Sequence, residues 1–251
     1  VAFSPDEVER YARHLVLREI GGPGQQRLKA ARVLIVGAGG LGSPAALYLA
    51  AAGVGVLGLV DPDVVSLSNL QRQVLYATDE VGRLKIDRAA ERLAGLNPHV
   101  QIEAHAVTVA SDNAAEVIAG YDLVLDGTDN FDVRFAVNGA CVAAGKPLVS
   151  GAIGRWTGQI AVFTPGGPCY RCLVPETPPD AETCSAVGVV GALAGVVGAM
   201  MALEAVKLIA RAGEALAGRL MIYDGLGGEA RTVGLARDPA CPTCGSAAAW
   251  A

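Results

Sequence analysis

A doubly wound α/β fold, with a mostly parallel sheet that becomes mixed toward its C-terminal end, is predicted by three observations. An apolar run at residues 33–36 leads through Gly37-Ala38-Gly39-Gly40-Leu41-Gly42 into a helical stretch, the strand–turn–helix order of a nucleotide-binding unit. Apolar strands and helices then alternate as far as residue 150, as parallel crossover units require. Beyond that point the alternation gives way to strand-like runs separated by turns, which adds antiparallel strands to the sheet.

Taken in order, Ser4-Pro5-Asp6-Glu7 supplies an N-cap, a proline at the first helical position and a capping-box glutamate, with Phe3 and Val8 spaced as a hydrophobic staple. Val8, Tyr11, Ala12, Leu15 and Val16 form the expected buried stripe of that helix. Arg10 and Arg13 lie off it, facing solvent or a partner. Residues 21–24 (Gly-Gly-Pro-Gly) break the chain before a short helix and the strand at 33–36. Gly37 then permits a tight turn, Gly39 lets backbone approach a phosphate, and Gly42 lets the helix at 41–52 pack closely on the strand. That helix aims unpaired N–H groups and its positive end at an anion. A second apolar run, 54–60, ends at Asp61, 19 positions after Gly42, where this fingerprint places a carboxylate for ribose hydroxyls.

A polar loop follows Asp61, in the place where nucleotide folds keep site residues. A helix is expected at 85–96 before Asn97-Pro98, a strand at 100–104, a helix at 112–119 and a strand at 123–125. Asp126-Gly127-Thr128-Asp129-Asn130 occupies that strand's carboxyl end, with a helix from Phe131 and a strand at 147–150. Strands at 158–164, 219–223 and 230–235 complete the sheet. Residues 175–185, with three prolines and three acidic residues, read as a mobile loop. Residues 186–203 are 18 uncharged residues, the lower edge of a membrane span. Their Ala, Gly and Val content and lack of aromatic anchors favour instead a central helix buried all round.

The net charge of −5 and sequence pI near 5.2 argue against a nucleic-acid surface, which clusters Lys and Arg. No secretory leader is recognised, and four of the six cysteines fall into two Cys-x-x-Cys pairs, so a cytoplasmic protein with a metal site is expected. Cys169, Cys172, Cys241 and Cys244 suit a four-thiolate structural zinc site, each pair lying beside turn residues. Cys141, on an apolar helix, reads as core, and the three histidines share no motif. Asp61 and Asp129 fall near the glycine loop by strand-end geometry. Arg72 and Lys85 can clamp a polyphosphate, and Asp129 can hold magnesium or the reacting phosphate geometry.

The glycine loop, Asp61-Pro62-Asp63, Ser66-Leu67-Ser68-Asn69-Leu70-Gln71-Arg72-Gln73, the 126–130 segment and the paired Cys-x-x-Cys together resemble the MoeB/ThiF family, relatives of ubiquitin-activating enzymes, from Arg10 to Cys244. The resemblance implies a Rossmann-like domain with an eight-stranded mixed sheet, a homodimer and Mg-ATP as cosubstrate. It further implies that the C-terminal glycine of a ubiquitin-like sulfur carrier ending in Gly-Gly is joined to AMP, with release of pyrophosphate. Within one domain, 1–251, it divides a helical arm (1–30), a nucleotide half (31–150) and a half for the carrier and zinc (151–251).

Carried onto this chain, the resemblance gives Asp61 the ribose and lines the nucleotide with Gly37, Gly39, Gly40 and Gly42. Asp63, Asn69, Gln71 and Asn130 join the nucleotide-binding set, and Asn69, Arg72 and Lys85 hold phosphates. Asp129 is the acid essential for adenylation. Arg13 reaches into the other protomer's site, and Arg134 contacts the carrier tail. Cys184 is a candidate for a covalent step, which some family members use and others lack. Any persulfide then forms on Cys184 or comes from a separate sulfurtransferase. Rival readings are an NAD-dependent dehydrogenase, which leaves Arg72, Lys85, Asp129 and the cysteines unexplained, a related dehydratase acting on a threonylcarbamoyl group of tRNA, and a non-catalytic carrier-binding scaffold.

Overall fold

The computed structural model describes residues 2–179, 188–245 and 250. Its central strand, β1 (Arg32–Val36), is apolar at four consecutive positions because both faces are covered. Val33 and Ile35 enter one hydrophobic cluster, and Leu34 and Val36 enter another on the opposite face, the alternation that a strand imposes. On one side β1 pairs in parallel with β2 (Val56–Val60), and β2 with β3 (Gln101–His105). On the other side it pairs in parallel with β4 (Leu123–Asp126), and β4 with β5 (Leu148–Gly154). β6 (Thr157–Phe163), β7 (Arg219–Asp224) and β8 (Glu229–Gly234) continue as an antiparallel meander. The order 3-2-1-4-5-6-7-8 is thus the expected eight-stranded mixed sheet. Strand order reverses between β1 and β4, so the ligand crevice of this class of fold opens where the glycine loop and residues 126–130 lie side by side.

Helices cover both faces. α3 (Gly21–Ala30), α4 (Gly42–Ala52), α5 (Lys85–Leu96) and the long α9 (Gly191–Ala210) contribute to the first cluster. α6 (Ala114–Ala119) and α7 (Phe131–Ala143) contribute to the second, in which Cys141 is buried as expected of a core residue. A short helix, α8 (Tyr170–Leu173), begins directly after Cys169.

Two expectations are corrected. The N-terminal segment forms α1 (Pro5–Arg10) with its full capping box, then α2 (Ala12–Leu15). Its apolar stripe is not buried: Tyr11 goes inside, whereas Val8 is half exposed and Val16 is 78 % exposed. Polar anchors hold this arm instead, with buried Glu7 accepting from Lys29 Nζ (2.8 Å) and Tyr11 Oη accepting from Asn97 Nδ2 (2.9 Å). α9 is long and apolar enough to cross a membrane by length and composition, yet it packs on α3, α4, β5 and β6. It is not buried all round. Leu193, Ala194, Val197, Met201 and Ala205 face the core, while Val196 and Leu203, at 37 % and 58 % exposure, leave an apolar stripe uncovered.

Candidate nucleotide and metal sites

The glycine loop follows from two backbone requirements. Gly37 has φ +87°, and a Cβ on Gly42 would stand 1.9 Å from the Gly37 carbonyl oxygen, so α4 can start against β1 only with glycine there. Asp61, at the end of β2, holds this loop from the side. Its Oδ2 accepts from the Ala38 amide and its Oδ1 from the Asp63 amide, each at 2.9 Å. Tyr76 closes the loop from above, donating to the Ala38 carbonyl at 2.7 Å. Asp61 is 6 % exposed, and burial raises its carboxyl above the usual aspartate range, although Lys85 and the two amides act in the opposite direction.

Lys85, at the start of α5, is itself 3 % exposed and lies 2.9 Å from Asp63 Oδ2 and 3.6 Å from Asp61 Oδ1. A buried ammonium between two carboxylates is charge-compensated, which a lone buried lysine would not be. Across the crevice, Asp126 at the end of β4 uses Oδ1 to accept from the Thr128 amide (3.0 Å) and hydroxyl (2.7 Å). This turn presents the exposed Asp129 to the cavity, and the next residue, Asn130, caps α7 by accepting from the amides of Asp132 and Val133.

One cavity of about 630 Å³ unites these parts. Gly37, Gly39, Gly40, Asp61, Asp63, Asn69, Arg72, Lys85, Asp129 and Asn130 all line it. Gly42 lies beneath the loop and does not, and Gln71 points elsewhere, its backbone carbonyl standing where Gly191 begins α9. Arg13 is exposed and does not line its own chain's cavity. Arg134 lines it, but its guanidinium is committed to the Thr128 carbonyl and to the Gly151 carbonyl at 2.8 Å, so it braces the Asp129 turn. Cys184 lies outside the described residues.

Residues without a role in the sequence reading also enter the site. Gln73 is buried beside Gly39, and its Oε1 makes no hydrogen bond among the described residues. Its place in the Asn69–Gln73 segment was the available signal, yet only the fold shows that side chain turning inward. Beyond the glycine-loop end, the cavity continues along Ala152, Ile153, Gln159, Tyr170, Val174 and Pro178, a less charged arm.

The four paired cysteines converge although 72 residues separate the partners. Cys169 Sγ lies 3.7 Å from Cys241 Sγ, and Cys172 Sγ lies 3.4 Å from Cys244 Sγ. All four sulfurs fall within 4.8 Å of one another. A tetrahedron of 2.3 Å metal–sulfur bonds has edges of about 3.8 Å, so the set fits a thiophilic ion with a closed shell. The Asp238 amide donates toward Cys172 Sγ at 3.5 Å, as is usual around metal-bound thiolates.

The comparisons with known proteins agree with this geometry. A sulfur carrier protein adenylyltransferase of Thermus thermophilus is 49 % identical, with 97 % of this chain and 93 % of the relative aligned. The SAMP-activating enzyme E1 of Haloferax volcanii is 48 % identical over 98 % of this chain and 92 % of its own length. The adenylyltransferase and sulfurtransferase MOCS3 of Mus musculus is 49 % identical, but this chain spans only 54 % of it. Among solved structures, E. coli MccB with MccA-N7isoASN superposes with a TM-score of 0.84 over 97 % of this chain and 76 % of MccB, at 22 % identity, a likeness of fold alone. The ThiF family model matches residues 11–243, taking in the glycine loop, the Asp129 turn and three of the four paired cysteines, Cys169, Cys172 and Cys241, and the chain belongs to the ThiF family.

Proposed function

We propose that this protein uses ATP to adenylate the C-terminal glycine of a ubiquitin-like sulfur carrier, releasing pyrophosphate. The observation that carries this reading is the single cavity in which a ribose carboxylate, two cations and an exposed acid meet a less charged arm. A dehydrogenase has no use for Arg72, Lys85 and Asp129 in one place. The names of relatives nearly half identical over almost their whole length point the same way.

The chemistry asks for positioning and electrostatics. Asp61 fixes the ribose, and Asn69, Arg72 and Lys85 hold the triphosphate. The carrier's terminal carboxylate, brought along the Ile153–Val174 arm, attacks the α-phosphorus. The bond to the bridging oxygen breaks and pyrophosphate leaves. The nucleophile is already ionised, so no general base is required. Asp129 would hold a magnesium ion, which would spread the phosphate charge. Cys169, Cys172, Cys241 and Cys244 would hold zinc through their four thiolates, stapling the C-terminal segment to α8 and taking no part in the reaction. A homodimer completes the site, with Arg13 entering the partner's cavity. The uncovered Val196 and Leu203 of α9 and the exposed Val16 and Leu17 near Arg13 support this assembly.

The test is ATP–pyrophosphate exchange with purified MoaD-like and ThiS-like carriers, each with and without its terminal Gly-Gly. Exchange that needs an intact carrier tail is expected, and the carrier that supports it identifies the pathway. No exchange with either carrier, from folded metal-loaded protein, would overturn the reading in favour of another acyl substrate.

A further inference from the structure

We propose that Asn138 is a positioning residue that ties the four-cysteine centre to the wall of the nucleotide cavity, so that the bound metal holds the reaction site in shape. This rests on the reading that a metal occupies the four sulfurs. Asn138 lies in the middle of α7 and is 1 % exposed. A polar side chain so deeply buried needs partners, and it has two on consecutive residues. Its Oδ1 accepts from the Tyr170 amide at 2.8 Å, and its Nδ2 points at Cys169 Sγ at 3.6 Å.

The amide can be oriented only one way. A backbone N–H is purely a donor, so Oδ1 must face Tyr170, and the NH2 is left facing the sulfur. A metal-bound thiolate is an acceptor, and an N–H···S bond to it both aims the ligand and tempers its charge. The same carboxamide therefore reads the state of Cys169 and sets the position of Tyr170.

From Tyr170 the link runs into the cavity. Its side chain lines the wall, and the Arg134 guanidinium lies 5.8 Å from its ring centre. Arg134 stands four residues before Asn138 on α7, one turn away on the same helix face. It donates to the Thr128 carbonyl, immediately before Asp129, and to the Gly151 carbonyl at 2.8 Å. The path from Cys169 to the Asp129 turn thus consists of Asn138, Tyr170 and Arg134, each buried. Val142, one turn beyond Asn138, packs in the same small cluster as Cys169, Cys241 and Cys244, so α7 touches the cysteine centre with one end and the cavity with the other.

The experiment begins with the unaltered full-length protein loaded with 113Cd. A proton–113Cd correlation from one side-chain carboxamide is expected, absent in Asn138→Leu. Metal analysis precedes it. Protein that takes up no stoichiometric zinc or cadmium overturns the metal reading itself. A bound 113Cd that shows no carboxamide correlation overturns only the role of Asn138. For the second half of the link, zinc-loaded Asn138→Leu should release zinc to a chelator about tenfold faster. Before any zinc is lost, it should also show KM for ATP raised several-fold with a smaller change in kcat. Faster zinc release with KM unchanged would confine Asn138 to the metal and reject the link to the cavity.

Discussion

At the scale of single residues, Asp61 is under opposed demands. Burial favours its neutral form, yet both its oxygens accept backbone N–H groups and the proposed ribose recognition needs the carboxylate. With the folded carboxyl raised above its unfolded value, the folded chain binds more protons in that window. The group's contribution to stability is therefore greatest below the unfolded value and declines as pH rises through the folded one. Nucleoside binding has the opposite sign and weakens as pH falls through the raised value. Calorimetry with adenosine, which has no phosphates to titrate, should show affinity falling toward tenfold per pH unit on the acid side. Asp61→Asn should bind weakly and without that acid limb. Equal pH slopes in the two proteins would remove Asp61 from the ribose site. Such a carboxylate is legible in the sequence through its distance from the glycine loop. Gln73 and Asn138 are not, because what marks them is burial against residues remote in the chain.

At the scale of elements, the β1–loop–α4 unit tolerates no side chain at Gly42, the last glycine of its loop. In Gly42→Ala the new methyl would meet the Gly37 carbonyl at 1.9 Å, and that atom is backbone, which cannot turn aside. The helix must shift outward, costing about 1–3 kcal/mol in overpacking. Thermal unfolding should begin several degrees lower, and ATP affinity should fall with it as the loop N–H groups are re-aimed. Unchanged melting and binding would mean that α4 has slack the packing does not reveal. The other helices show why amphipathic pattern is an incomplete guide. The stripe of α1 and α2 is legible as apolar, but periodicity says only that it seeks cover. It cannot say whether this chain's core or another surface supplies the cover, and here the core takes Tyr11 and leaves Val16 outside. The same holds for Val196 and Leu203 on α9.

At the scale of the whole molecule, the proposed dimer makes two half-sites out of each chain. Arg13 would serve the partner's cavity and Asp129 its own, so Arg13→Ala and Asp129→Ala should each be inactive alone. Mixed and allowed to exchange subunits, they should recover up to about a quarter of wild-type activity, since random pairing makes half the dimers mixed and each mixed dimer has one intact site of two. No recovery after exchange verified by mass would place Arg13 in its own chain's site or outside the mechanism altogether.

The sequence by itself determined the sheet's class, the glycine turn, Asp61 at its strand end and the two cysteine pairs. These are signals of short range, in which a residue's neighbours along the chain supply its physical reason. The tertiary structure decided which of them share a site. Cysteines 72 residues apart become one cluster, and Lys85 is set between Asp61 and Asp63. Arg134 turns to brace the Asp129 loop, and Asn138 spans a sulfur and a tyrosine amide. Each of those depends on contacts across the sheet or between its layers, where spacing along the chain carries no information and only packing and hydrogen-bond satisfaction select the partner.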